Sequence, residues 1–207
     1  MKTMKPVAVA LAALCALVLG VWTALKWYAP PPAISLESGI LLPQPRVIAS
    51  FKLTDQDGAV FANDRLLQRW SLLFVGFTHC PDVCPTTLSM MKLLEQRLQA
   101  EQRALSMVFV SVDPERDTSQ QLQKFVRYFS PTLTGATGPN PELERLCASL
   151  GIAYIKVPGA TNDSYTMDHS AALVLINPQG QVAGYFQAPY KLDLLAADLA
   201  RIIPPST

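Results

Sequence analysis

Two cysteines four residues apart, Cys80 and Cys84, lie in the segment Leu72-Leu73-Phe74-Val75-Gly76-Phe77-Thr78-His79-Cys80-Pro81-Asp82-Val83-Cys84-Pro85. There a hydrophobic strand gives way to a helix. A strand-to-helix turn presents both thiols on one exposed rim, and the positive end of the helix favours thiolate. Thiolates so placed either exchange electrons as a disulfide or hold a soft metal. Redox sites of the thioredoxin type favour two intervening residues, which close a tight disulfide. The third residue here opens room between the sulfurs and favours metal binding.

The elements on either side must hold those thiols. Residues 70–77 form a continuous apolar run, which reads as a central strand buried on both faces. Leu88, Met91, Leu94 and Leu98 recur at helical spacing and predict a helix over 85–103, with the next buried strand over 105–112. Asp117 or Thr118 caps a helix running to Phe129, 133–136 is a short strand, and Gly138-Pro139-Asn140-Pro141 opens a helix ending at Leu150. Strands follow over 152–157, 171–176 and 181–186, the last two joined by the turn Asn177-Pro178-Gln179-Gly180, and 191–203 closes the chain as a helix. Ahead of these, 47–54 and 59–61 read as a hairpin about Asp57-Gly58. The order is that of an α/β, thioredoxin-like fold with an N-terminal β-hairpin extension.

The 207 residues suffice for one ordinary domain with a real core. Seventeen basic and 16 acidic residues leave a net charge of +1, so nothing suggests a nucleic-acid partner. From Pro6 to Leu25 no charged residue occurs. As a helix that run spans about 30 Å, the hydrocarbon core of a bilayer. Lys2 and Lys5 precede it and Lys26-Trp27-Tyr28 follows as an interfacial anchor. A cleaved signal peptide is the alternative, but the run is long for one and no small-residue cleavage site follows it. Leu14 before Cys15 is a poor fit to lipid attachment. The expected organisation is therefore a membrane anchor over 1–28, a proline-rich tether over 29–45 and the globular domain over 46–207. The N-terminal lysines place that end in the cytoplasm and the domain outside, in an oxidising compartment. The N-terminus lacks the Arg- and Ser-rich character of a mitochondrial transit peptide, which favours a bacterial inner membrane with the domain in the periplasm.

Three motifs in order, Phe77-Thr78-x-Cys80-Pro81-Asp82-Val83-Cys84-Pro85, Ser111-Val112-Asp113-Pro114-Glu115-Arg116-Asp117-Thr118 and Asp168-His169-Ser170, resemble the Sco/SenC family over about residues 45–203. Ser119 departs from it, standing where many relatives carry proline. The resemblance implies a membrane-anchored copper chaperone with a thioredoxin-like fold. It implies a role in building the dinuclear copper centre of cytochrome c oxidase subunit II, by delivering copper or by reducing that centre's cysteines. Another copper donor or a thiol reductant would be a further partner.

The sequence holds two histidines, His79 and His169. His79 adjoins Cys80, so its ring should diverge from the thiols. His169 precedes the 171–176 strand, where a thioredoxin-like fold approaches its cysteine turn. Fold placement and the family motif make it the third ligand. Cys80, Cys84 and His169 then form a trigonal set for copper as Cu(I), with Cu(II) a second state and Zn²⁺ disfavoured for want of a fourth ligand. The same Cys80 and Cys84 form the redox-active disulfide.

The remaining candidates read as structural. Cys147 lies on the apolar face of its helix, Cys15 is in the membrane run, and Met90, Met91 and Met167 belong to the core. Asp82 either bonds turn amides, tunes the thiolates or faces a partner. Asp168 either orients the His169 ring or caps its loop. Asp113, Arg116 and Asp117 read as a salt-bridged turn near the site. Two other functions stay open: a thiol-disulfide oxidoreductase without metal, and a copper or redox sensor signalling through the membrane segment. A disulfide enzyme has no need of His169, and a copper carrier does.

Overall fold

The computed structural model describes residues 4–27, 35–159 and 164–206, with the side chains of 4–6 left aside. The chain divides into two compact units, Met1–Ile34 and Ser35–Thr207. In the first, helix α1 covers Met4–Trp27, and its stretch Val7–Trp27 is long and apolar enough to cross a membrane. Lys26 lies over the Trp22 ring at its C-terminal end.

The second unit is built on an eight-stranded mixed sheet. Its strands are β1 (Gly39–Val47), β2 (Lys52–Asp55), β3 (Val60–Ala62), β4 (Trp70–Gly76), β5 (Leu105–Ser111), β6 (Thr134–Thr137), β9 (Leu173–Ile176) and β10 (Gln181–Phe186). The remaining two, β7 (Tyr154–Pro158) and β8 (Tyr165–His169), form a separate antiparallel ribbon. Helices α2 (Val83–Ala100), α3 (Ser119–Phe129), α4 (Asn140–Leu150) and α5 (Leu192–Ile202) complete the fold, with a 3-10 turn at Asn63–Leu66. The sheet order is β1-β10-β9-β4-β5-β6-β2-β3. β4, β5 and β6 run parallel through helical crossovers, and the outer pairs are antiparallel.

This is the expected thioredoxin-like α/β fold. β4 is buried from Ser71 to Gly76 because it is covered on both faces, and Leu72, Leu73, Phe74 and Val75 are fully enclosed. Burying each such side chain stabilises the fold by about 1.5–3 kcal/mol. Helix α2 buries Leu88, Met91, Leu94 and Leu98, as their spacing predicts, and it packs against α5. Thr118 is the residue that caps α3, its hydroxyl accepting the Gln121 amide at 3.2 Å. The β2–β3 hairpin turns through Gly58, whose φ of 82° suits glycine.

Three expectations change. The stretch expected as tether over 29–45 ends sooner: Gly39–Val47 is strand β1, paired with β10. Pro43 and Pro45 fit there because an edge strand has an N–H row facing away from the ladder, and the pairing is irregular between Leu41 and Arg46. Residues 29–34 lie outside the described residues. Just before β1, the Glu37 and Ser38 amides and the Ser38 hydroxyl donate to buried Asp198 of α5 at 2.9, 2.7 and 2.6 Å. Second, Val47 belongs to β1 and not to the hairpin, which starts at Lys52. Third, residues 165–169, read as loop, are strand β8, and β9 starts at Leu173.

Candidate metal centre

The cysteine turn leaves the sheet at the C-terminal end of β4. Helix α2 starts at Val83, two residues earlier than its apolar spacing suggests, so Cys84 lies in its first turn and Cys80 just before it. The Cys84 amide, one of the unpaired N–H groups that open a helix, donates to Cys80 Sγ at 3.4 Å. Cys80 is half-buried, whereas Cys84 is fully enclosed. Gly76 makes room for it: a Cβ there would lie 2.7 Å from Cys84 Sγ and 2.8 Å from the Phe109 ring.

His169 arrives from the opposite side, as the last residue of β8. Its Nε2 lies 3.7 Å from Cys84 Sγ, and its Nδ1 lies 3.2 Å from the Ser170 carbonyl. With the proton on Nδ1 for that carbonyl, the Nε2 lone pair faces the sulfur. The ring is wedged edge-on against Phe74 and Phe77, with centroids at 5.8 and 6.0 Å. Burial lowers the His169 pKa below the ordinary imidazole value, against the opposing pull of the Ser170 carbonyl and the Asp168 charge. The neutral ring is thus the resting form at neutral pH.

Cys84 departs from expectation. Burial pushes its thiol well above the ordinary range; hydrogen bonding to the Phe77 backbone opposes this, while Cys80 and Asp117 add to it. Desolvation in the dry pocket outweighs the helix N-terminus, so this sulfur rests as a thiol and not as the thiolate anticipated. A soft cation placed against it would supply the missing charge. One enclosed sulfur, one accessible sulfur and a neutral imidazole nitrogen fit the preferences of copper.

Residues 41–204 match the SCO1/SenC family model. The chain belongs to the SCO1/SenC family. A Stutzerimonas stutzeri protein, provisionally named as copper-binding, is 41% identical over 165 residues, covering 79% of this chain and 80% of its own length. ScoI of Bradyrhizobium japonicum, solved with copper bound, is 35% identical with a TM-score of 0.67, covering 75% of this chain and 98% of that one. BsSco, with a TM-score of 0.62 and 26% identity over 76% of this chain and 93% of its own, is described as carrying a disulfide switch. It is also described as a member of the Sco family of cytochrome c oxidase assembly proteins.

Around Cys80, Cys84 and His169 the other candidates of this SCO1/SenC chain separate. The His79 ring is exposed, with Nδ1 3.2 Å from Thr78 Oγ1 and 3.4 Å from Asp117 Oδ1. Asp82 is exposed and accepts from Thr86 Oγ1 at 3.2 Å. Asp168 is exposed, and Ser170, not Asp168, meets the His169 Nδ1. Met91 and Met167 are buried and Met90 is half-buried. Cys147 is buried on α4, its pKa pushed up to about 12 by desolvation.

Asp117 lies near the site as expected, but its role there is not the ion pair read from the sequence. It is fully buried and accepts the Thr78 amide at 2.8 Å, the Thr78 hydroxyl at 2.6 Å and the Ser111 hydroxyl at 2.5 Å. The expected ion pair holds only for its neighbours: Arg116 Nε donates to Asp113 at 2.5 Å. Arg116 Nη1 also donates to the Tyr165 carbonyl at 3.1 Å, and the Tyr165 hydroxyl donates to Asp113 at 2.7 Å. Donor atoms of His79, Asp113 and Asp117 lie within 4.8 Å of one another. Their carboxylate oxygens already accept these hydroxyl, amide and guanidinium donors, so the cluster serves the loop.

Proposed function

We infer that this SCO1/SenC protein carries one copper ion, as Cu(I), on Cys80, Cys84 and His169. It serves assembly of the dinuclear copper centre of cytochrome c oxidase, with subunit II the receiving partner. Copper is cargo here, not a resident cofactor. The observation carrying this reading is the 3.7 Å approach of His169 Nε2 to Cys84 Sγ from a strand remote in sequence. An imidazole with its lone pair turned to a buried sulfur completes a soft three-donor set, a third donor that a disulfide does not require. The test is a Cu(I) titration of the full-length reduced protein in detergent. One tightly held ion per chain is expected, and no uptake beyond that of a chain lacking both cysteines would sink the reading.

Thiol reduction of the receiving centre is a second reading, favoured by the unequal exposure of the two sulfurs. The accessible Cys80 thiolate attacks a sulfur of the partner disulfide and expels the other. Cys84 then attacks the mixed disulfide, so two electrons and two protons pass to the partner as Cys80–Cys84 oxidises. Both roles place the domain outside the cytoplasm, anchored through α1. The protein is therefore expected in the membrane fraction with its N-terminus retained, and protease added to intact spheroplasts should digest the domain. N-terminal sequencing that starts near residue 30, or protection of the domain, would contradict this topology.

A further inference from the structure

We propose that Asp117 and Tyr165 are positioning residues of the copper site, and that the loop between β5 and α3 sets the spacing of its cysteine and histidine halves. This rests on the ligand set inferred above. His169 stands on a ribbon that lies outside the eight-stranded sheet, so no ladder of main-chain bonds fixes it against the sheet. The cysteines stand on a turn that has already left β4. The His169 ring packs on Phe74 and Phe77, but these apolar contacts are not directional, and the polar link between the two halves is one short loop that touches both.

Its first arm is Asp117. One carboxylate takes both the amide and the hydroxyl of Thr78, two residues before Cys80, at 2.8 and 2.6 Å. The same group is fixed from behind by the Ser111 hydroxyl, and its own amide donates to the Asp113 carbonyl at 2.9 Å. One oxygen takes the Thr78 amide and the Ser111 hydroxyl and the other takes the Thr78 hydroxyl, so both sides of the carboxylate are engaged.

The second arm reaches the ribbon. Tyr165 and His169 are four residues apart on β8 and so project to the same face. The Tyr165 hydroxyl donates to Asp113, its carbonyl accepts from Arg116, and the Arg116 guanidinium lies 3.7 Å over its ring. Asp113 and Arg116 are bonded to each other at 2.5 Å. The loop therefore grips the cysteine turn through Thr78 and the histidine strand through Tyr165. The Cys84–His169 gap lies between the two grips.

Two mild substitutions separate the arms in the full-length protein. Thr78→Val removes one hydroxyl contact to Asp117 and keeps the side-chain shape. It is expected to lower Cu(I) affinity about tenfold, and to move the Cys80–Cys84 equilibrium with glutathione about tenfold toward the disulfide, or about 30 mV. Tyr165→Phe removes the bond to Asp113. It is expected to lower Cu(I) affinity about tenfold and weaken the nitrogen shell in X-ray absorption, while the disulfide equilibrium stays within about twofold of wild type. A purely structural role would lower both melting temperatures without that split. Wild-type affinity and coordination in both variants, or losses that track melting alone, would overturn the proposal. His169→Ala in the same assay separates the two inferences. If it loses copper while Thr78→Val and Tyr165→Phe do not, the brace is wrong and the ligand set stands; if it keeps copper, the ligand set itself is wrong.

Discussion

Replacing His169 with alanine is expected to lower the Cu(I) affinity of the reduced protein by more than about a hundredfold, since even outer partners of metal ligands are worth about 10- to 100-fold. Cys80 and Cys84 should still close their disulfide. The substitution removes the one nitrogen facing Cys84 Sγ, at 3.7 Å, and leaves both sulfurs in place. It also empties the slot between Phe74 and Phe77, so some loss of stability should accompany it. Competition against a chromogenic Cu(I) chelator measures the affinity, and X-ray absorption should lose its nitrogen contribution. His79→Ala should change affinity far less, because that ring is engaged by Thr78 and Asp117. An unchanged affinity and coordination shell in His169→Ala would hand the site to the oxidoreductase reading.

Oxidation should abolish copper uptake altogether. A Cys80–Cys84 disulfide consumes both sulfur donors, leaving one imidazole, and a single neutral nitrogen does not hold Cu(I) against a chelator. Protein shown by mass to have lost two hydrogens is expected to bind no Cu(I), and dithiol reduction should restore one ion per chain. Replacing either cysteine should remove both copper binding and the disulfide. Full binding by the oxidised chain would point to sulfur elsewhere. Met91 and Met167 are poorly placed for that, being buried in the core.

Much of this was legible because the site lies where periodicity is strongest. The apolar run of β4, the helical spacing of α2 and the turn between them fix where Cys80 and Cys84 emerge. The three family motifs named His169. Strand β8 was hidden because Tyr165-Thr-Met-Asp-His alternates weakly and only Met167 is buried, so polar residues masked the period. β1 was hidden by Pro43 and Pro45, which signal coil except on a sheet edge. Two roles arise only in three dimensions. Asp117 reaches back 39 residues to Thr78, and Gly76 leaves the space Cys84 Sγ occupies. The resting state of Cys84 was misjudged for the same reason. A helix terminus can be read from sequence, but the dryness that outweighs it is set by Phe109, the ribbon and the core together.

Strand β1 has a practical consequence for aggregation. One rim of the sheet is β1, broken by Pro43, Pro45 and its irregular pairing, and the other is β3, only three residues long. A short edge and a proline-broken edge both discourage pairing between copies. A soluble fragment begun at residue 46 would cut away most of β1 and the Ser38–Asp198 clasp. It would leave the backbone of Gly184, Tyr185 and Phe186 open as a template for another chain. A fragment begun at Ser35 keeps β10 paired beneath the proline-blunted β1, so the choice of first residue decides whether the detached domain stays monomeric or self-associates through β10.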